Sequence, residues 1–444
     1  MQRTLIKDTV SSVGQTVLLK GWANTVRAHG SIVFIDLRDR SGIAQVVATA
    51  ELAKDIKEEY VLQIEGLVRN RPPKMVNPNL ATGTIEVEAK AIKIIAQAEP
   101  LPFDIKEGMN VGLPTLLDWR PLTLRNEKNQ AIFKIEEAVI DSFRTTLKEM
   151  GFTEIQVPTI VPTATEGGSE VFKIDYYGRP AYLAQSPQLY KQMLVGVFER
   201  VYTLAHAYRA EPSITTRHLT EYISLDAEMG FINSWDDLMD TCEVILKNMF
   251  ADVAKKCERD LRTANGVIPQ ITDKIPRLKM RDAQKIILER TGRDHTKEPD
   301  LDPEDEKEIC QWAKENYGSE LIFITHYPTK KRPFYTFPDP EDPDYTLSFD
   351  ILCRGLEITT GGQRINDYQQ LLGNVKKWDN KPENFALYLQ AFQYGMPPEG
   401  GFAFGAERIV KQILGLENLR EASLFPRDMG RIDQRLSTDK ENNE

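Results

Sequence analysis

Three observations predict an α+β chain in two parts. Residues 1–97 read as five short strands rich in Val and Ile and broken by Gly and Pro. Residues Asn129–Gly151 place Ile132, Ile135, Val139, Phe143, Leu147 and Met150 at three- to four-residue steps, one apolar stripe of a helix. Beyond them, strand-like and helical segments alternate with no Gly-rich dinucleotide or P-loop signature, so an antiparallel sheet packed with helices is expected rather than a doubly wound one. At 444 residues the chain exceeds one ordinary core. The expected division is a barrel module over 1–97, a linker or hinge over 98–127, and a larger sheet-and-helix domain over 128–444.

QTVLLKGWAN, GSIVFIDLRDR and GIAQVVAT give the first three strands, ELAKDIKEEY a helical break, and VLQIEGLVRN and TIEVEAKAIKIIA the last two. Five strands with a helix after the third is the order of an OB barrel. RNRPPKMVNPNLATG, with its prolines, joins the last pair as a loop. Gly151 is placed to end the long helix. FTEIQVPTIV, PAYLAQ, RVYTLAHAYRA, EYISLDAEMGF, ELIFITHYP, YTLSFDILCRGLEITTG and GGFAFGA then read as strands. Residues 233–260 and 280–318 read as helical, the latter interrupted by RDHTKEPDLDPEDEKE.

Composition excludes several classes. Hydrophobic residues are 41% and charged residues 27%, a globular balance. No apolar run is long enough for a membrane helix, and MQRTLIKDTVSS lacks the apolar core of a signal peptide. The four cysteines and five histidines form no zinc spacing, and a reducing cytoplasm is the simplest compartment. Net charge is −10, against a bulk nucleic-acid binder. Residues 1–97 nevertheless carry 13 basic against 10 acidic side chains, which leaves −13 for the remainder, so a mildly basic module is joined to an acidic body.

Three tracts carry chemistry. In the run from Tyr208 to Gly230, Arg209, Glu211, Arg217 and His218 crowd the ends of a polar loop between two strands, and guanidinium forks suit phosphate oxygens. From Ser348 to Arg364, Asp350 and Glu357 are seven residues apart and would face opposite sides of one straight strand, unless Arg354-Gly355 makes a turn or bulge that joins them into a hard-cation site. From Gly400 to Gly415 a Gly-rich strand runs into a helix whose first turns carry Arg408, which favours an anion and a close backbone approach.

Together these tracts resemble the motifs of the class II aminoacyl-tRNA synthetases. The segment Gly151–Pro158 resembles the family's first motif, at a dimer interface; Arg209 with Glu211 and Arg408 match the second and third. The N-terminal module is similar to the anticodon-binding OB domain of the aspartate, asparagine and lysine subgroup. Gln185-Ser-Pro-Gln-Leu-Tyr-Lys-Gln192 resembles the aspartyl members, where a lysine, here Lys191, pairs with the substrate side-chain carboxylate; Arg364 matches a second cation on it. A site built for that carboxylate leaves its charge unmet by the neutral amide.

The resemblance implies ATP-dependent activation of L-aspartate and its transfer to tRNA(Asp), with Mg²⁺, in a cytoplasmic homodimer with no membrane partner. It implies catalytic Arg209 and Arg408, and an ATP site of Arg209, Glu211, Arg217, His218, Leu219, Tyr222, Glu357, Gly405 and Arg408. The aspartate site would be Glu166, Gln188, Lys191, Asp226 and Arg364. Asp350, Glu357 and Thr360 would hold the metal, and Arg27, Phe34 and Gln45 would read the anticodon. Acceptors remain open between tRNA(Asp) alone and both tRNA(Asp) and tRNA(Asn). An asparaginyl enzyme and a non-catalytic RNA-binding paralogue stand as alternatives.

Overall fold

The computed structural model describes residues 1–444 except 107, 164–169, 213–214 and 434–444. It divides into two compact units, Met1–Asp104 and Ile105–Glu444. Residues 113–118 and 120–123, expected as linker, form two short helices of the second unit.

In the first unit, β1 (Thr16–His29), β2 (Ile32–Asp39), β3 (Gly42–Thr49), β4 (Val61–Asn70) and β5 (Ile85–Ala96) close into a barrel in the order β1-β2-β3-β5-β4. Alternation builds it: Val33, Ile35 and Leu37 point inward while Phe34 and Asp36 stay half-exposed outside. The expected helix after β3 is a single turn, Ala50–Ala53, capped by the Thr49 hydroxyl. Gly66 sits where a Cβ would meet Val87 at 2.6 Å, so this β4–β5 crossing excludes any side chain.

The second unit is ordered around α1 (Glu127–Glu149), which starts at Asn126, whose side chain accepts from the N–H groups of Lys128 and Asn129. It ends at Gly151, at φ +79°, where the Phe152 N–H bonds the Leu147 carbonyl, a left-handed stop. The following elements are β6 (Thr153–Glu154), α2 (Gln188–Phe198), β7 (Arg200–Tyr208), β8 (Glu221–Gly230), α3 (Asp236–Lys256), β9 (Arg277–Lys279), α4 (Pro303–Tyr317), β10 (Leu321–Thr325), β11 (Ser348–Cys353), β12 (Leu356–Gln363), β13 (Glu399–Gly405) and α5 (Ala406–Leu414). Among the described residues the large sheet runs β9-β10-β11-β12-β13-β8-β7-β6. The expectation of an antiparallel sheet holds through its middle and fails at both ends, because β9 on β10 and β6 on β7 are parallel. FTEIQVPTIV also splits: Thr153–Glu154 joins the large sheet and Ile160–Val161 a small three-stranded one, with Pro158 between them.

Period-two alternation decides what each face does. In β8, Leu225, Ala227 and Met229 pack with Phe349, Ile351, Phe402 and Phe404 against Ile135, Val139 and Phe143 of α1 and Ile245 and Met249 of α3. Each Leu, Ile, Val, Phe and Met side chain among them contributes roughly 1.5–3 kcal/mol when fully buried. Ser224, Asp226 and Glu228 alternate with them and are therefore given to the opposite face.

At the start of α5, Glu407 accepts the Ile223 N–H with both carboxylate oxygens, 3.0 and 3.2 Å. Burial pushes its carboxyl up to about 8, and Glu136 adds to the rise. The folded state therefore keeps a proton that the unfolded chain releases near its ordinary 4.5. This stability is fully present below about pH 4.5 and drains as pH rises through about 8, at up to about 1.4 kcal/mol per unit. Urea melts of Glu407→Gln at pH 5 and pH 8 are expected to differ less than those of the wild type; an equal difference would refute the assignment.

Candidate active site

One lateral row crosses the site face. Asp350 lies opposite Thr360, Thr360 opposite Ala403, Ala403 opposite Asp226 and Asp226 opposite Thr203. Three strand spacings, about 14 Å, separate Asp350 from Asp226. Two cavities lie over this face, of about 520 and 90 Å³, and they share Arg209, Glu211, Tyr222, Ser224, Glu357, Thr360 and Ala403.

At one end, α2 brings in Lys191. Its ammonium is buried and lies 2.9 Å from Asp226 Oδ1, 3.1 Å from Glu228 Oε2 and 3.4 Å from the Phe402 carbonyl. Burial disfavours its charge, but Asp226 and Glu228 outweigh that and raise its pKa. Arg364, just past β12, donates from Nε to Glu228 Oε1 at 2.7 Å and from a terminal nitrogen to the Gly401 carbonyl at 3.1 Å, and it lies over Tyr335. Burial works against the Glu228 charge, and the two cations hold its pKa below the usual range. Glu399 behind it accepts from Gln192 at 2.8 Å, and burial together with Glu228 pushes its carboxyl well above the usual carboxylate range. Gln188, Lys191, Asp226 and Arg364 all line the larger cavity. Glu166 lies outside the described residues.

At the other end, the hairpin of β11 and β12 turns at Arg354 and Gly355, with φ of +48° and +80°. A bulge between Ile351 and Leu352 then puts Glu357 opposite Leu352, two residues along from Asp350 and on the same face. Thr360 donates to Glu357 Oε1 at 2.8 Å. Burial opposes the Glu357 charge, yet Arg408, Thr360 and Arg209 hold its pKa down. Asp350 pairs with Arg332 at 2.8 Å, but burial still pushes it up to about 6 and its Oδ1 finds no well-directed hydrogen bond. Two carboxylates and a hydroxyl, one oxygen of them under-satisfied, are a donor set that fits a hard divalent cation.

Arg209, Glu211, Arg217, His218, Leu219, Tyr222, Glu357, Gly405 and Arg408 all line the smaller cavity. Arg209 lies 3.7 Å from Glu211 and stacks over Tyr222 at 5.7 Å. Arg408 donates to the Glu357 carbonyl at 2.9 Å. Burial and then Arg408 lower the His218 pKa, and its Nδ1 meets the Thr215 hydroxyl at 2.6 Å. Arg217 pairs with Glu306 of α4.

The motifs did not point to Glu228, Arg332, Glu306 or Glu399. For Glu228 a signal existed: two residues after Asp226 in a strand is the same face. Arg332 and Glu306 come from elements distant in the sequence.

In the barrel unit, Arg27 makes a two-pronged bond to Asp36 at 2.8 and 3.1 Å and lies opposite Phe34. Gln45 lies opposite Asp36 and donates to Glu86 at 3.2 Å. These side chains share the outer face, with His29 edge-on to Phe34.

Residues 113–429 match the model of the tRNA synthetases class II (D, K and N), and residues 17–95 match that of the OB-fold nucleic acid binding domain. The Aspartate--tRNA(Asp/Asn) ligase of Thermus thermophilus is 45% identical over 432 residues, 97% of this chain and 99% of that protein. The Aspartate--tRNA(Asp/Asn) ligase of Deinococcus radiodurans is 41% identical over 439 residues, with the same coverage. Asparaginyl-tRNA synthetase from Pyrococcus horikoshii, solved with asparaginyl-adenylate, superposes with a TM-score of 0.89 at 29% identity, covering 97% of this chain and 99% of that one. The backbone is thus similar to that of an asparaginyl enzyme as well. With a site row, a barrel and matches over nearly its whole length, the chain belongs to the class II tRNA synthetases of the D, K and N group.

Proposed function

We propose that this protein is an aspartate–tRNA ligase that uses ATP and Mg²⁺ and accepts both tRNA(Asp) and tRNA(Asn). The observation that carries the amino-acid choice is the buried pair Lys191 and Arg364, which converge on Glu228 from two different elements at one end of the cavity. A substrate carboxylate would draw on both cations, whereas an amide would meet donors with donors. Asp226 and Gln188 would face the ammonium and α-carboxylate.

An α-carboxylate oxygen of aspartate attacks the α-phosphorus of ATP, the bond to the bridging oxygen breaks, and pyrophosphate leaves. Arg209 would hold the α-phosphate, Glu211 and Tyr222 the adenine, and Arg217, His218 and Arg408 the outer phosphates. Asp350, Glu357 and Thr360 would hold Mg²⁺, which would supply positive charge to the phosphate oxygens. A hydroxyl of the terminal tRNA adenosine then attacks the aspartyl carbonyl, loses its proton, and AMP leaves. Positioning and charge neutralisation do the work, and no protein nucleophile is involved.

Arg27, Phe34 and Gln45 would read unpaired anticodon bases on the outer barrel face, where an exposed ring can stack a base. Segment Gly151–Pro158 would form the homodimer interface. Four free, buried cysteines suit a reducing cytoplasm. Acceptance of tRNA(Asn) follows the two relatives named above for Asp/Asn.

The test is pyrophosphate exchange with aspartate or asparagine, then charging of tRNA(Asp) and tRNA(Asn) transcripts with labelled aspartate. Exchange driven by aspartate and label on both transcripts are expected. Exchange driven by asparagine would overturn the amino-acid reading, and label on tRNA(Asp) alone would overturn the second acceptor.

A further inference from the structure

One wall of the phosphate end comes from α4, an element outside the motif tracts. Asp302 caps it, accepting from the N–H groups of Glu304 and Asp305, and its first turn is acidic. Glu304 points out, with 65% of its side chain exposed; Glu306 points in, with 13%. There it forms an ion pair with Arg217, itself 20% exposed. Glu306 lines the larger cavity and Arg217 the smaller.

A carboxylate beside a pocket for a polyanion is a misfit if it plays no part in binding. Burial pushes Glu306 up to about 7, with Arg217 pulling the other way and Glu357 pushing in the same direction. The Arg217 pair is the largest offset to this burial, with Arg408 a smaller one. Polyphosphate and Glu306 carry the same sign of charge and compete for the same guanidinium.

We propose that Glu306 is a positioning residue for nucleotide binding: it holds Arg217 while the site is empty and yields it to the terminal phosphates of ATP. α4 thereby gains a contact that depends on whether nucleotide is present. The inference rests on the reading of Arg217 as a phosphate ligand. The sign of its effect separates it from the other role open to a carboxylate there. A metal ligand would strengthen ATP binding, and its loss would weaken it; a competitor would weaken ATP binding, and its loss would strengthen it.

The experiment uses the full-length protein in aspartate-dependent pyrophosphate exchange. Glu306→Gln is expected to lower KM for ATP roughly fivefold, the scale of a partly screened charge pair, while kcat and KM for aspartate stay within about twofold. Glu306→Ala, a second variant in case the first folds poorly, is expected to move KM for ATP in the same direction. Arg217→Ala should raise KM for ATP. If Arg217→Ala leaves KM for ATP unchanged, the phosphate reading of Arg217 fails. If Arg217→Ala raises it and neither Glu306 variant lowers it, the present inference alone is overturned.

Discussion

Lys191→Leu is expected to reduce kcat/KM for aspartate by about a thousandfold or more, with KM for ATP changed only a few-fold. Lys191 touches Asp226, Glu228 and the Phe402 carbonyl and is buried together with both carboxylates. Leucine fills most of its volume but leaves two buried carboxylates with Arg364 as the remaining cation of the cluster. Removing one partner of a buried ionic group costs about 3–5 kcal/mol, enough for two to three orders of magnitude on its own. Loss of the substrate carboxylate's own partner adds to that. Part of the cost falls on folding, so thermal melts by circular dichroism must accompany the kinetics, which should be run well below the variant's midpoint. Asp350, at the proposed metal end of the row, stands about three strand spacings from Asp226, and so KM for ATP is the internal control. Equal losses for aspartate and ATP would count against a carboxylate partner and in favour of general collapse of the site.

Arg408→Ala is expected to lower kcat for pyrophosphate exchange by about 10²–10³-fold while aspartate still binds, as read by calorimetry. The loss of one pre-placed donor to developing phosphate charge has this scale. Arg408 stands in the first turns of α5, beside bare backbone at Gly405, where the nearest atoms to a Cβ would be those of the Arg408 side chain at 3.5 Å. Its removal also relieves the pull that keeps Glu357 ionised, since Arg408 is the largest opposing influence to burial there. Near-normal exchange would sink the phosphate role.

Much of this was legible in the sequence, for reasons that differ by element. The barrel was legible because its strands alternate and Gly30, Pro72, Pro73 and Pro78 mark two of its turns. The long helix was legible because its stripe and its Gly stop agree. The short edges were not: β9 has three residues and β6 two, and their parallel pairing follows from neighbours far away in the chain. At the site, local tracts pointed to Arg209, Glu211, Arg217, His218 and Arg408, which line one cavity, while Glu228 lay within reach of the same strand logic. The Gly-rich tract before α5 suggested clearance for a ligand. At Gly401 the clearance serves the protein: a Cβ there would meet Glu228 Oε2 at 2.1 Å and the Ala227 carbonyl at 2.3 Å. The glycine makes room for a buried carboxylate that anchors Lys191 and Arg364. No local pattern reveals such a need, because the crowding residue lies on the neighbouring strand.

The bulge in the β11–β12 hairpin sets how this part of the chain can drift. Strand side chains alternate, so inserting or deleting a single residue between Asp350 and Glu357 changes parity and sends one carboxylate into the hydrophobic layer. A change of two restores parity but slides one carboxylate along by about 7 Å. Only length changes confined to the Arg354-Gly355 tip, matched on both sides, keep the two acids together. Among relatives, the distance between these acids should therefore be one of the least elastic intervals in the whole sequence, however freely the residues inside it are exchanged.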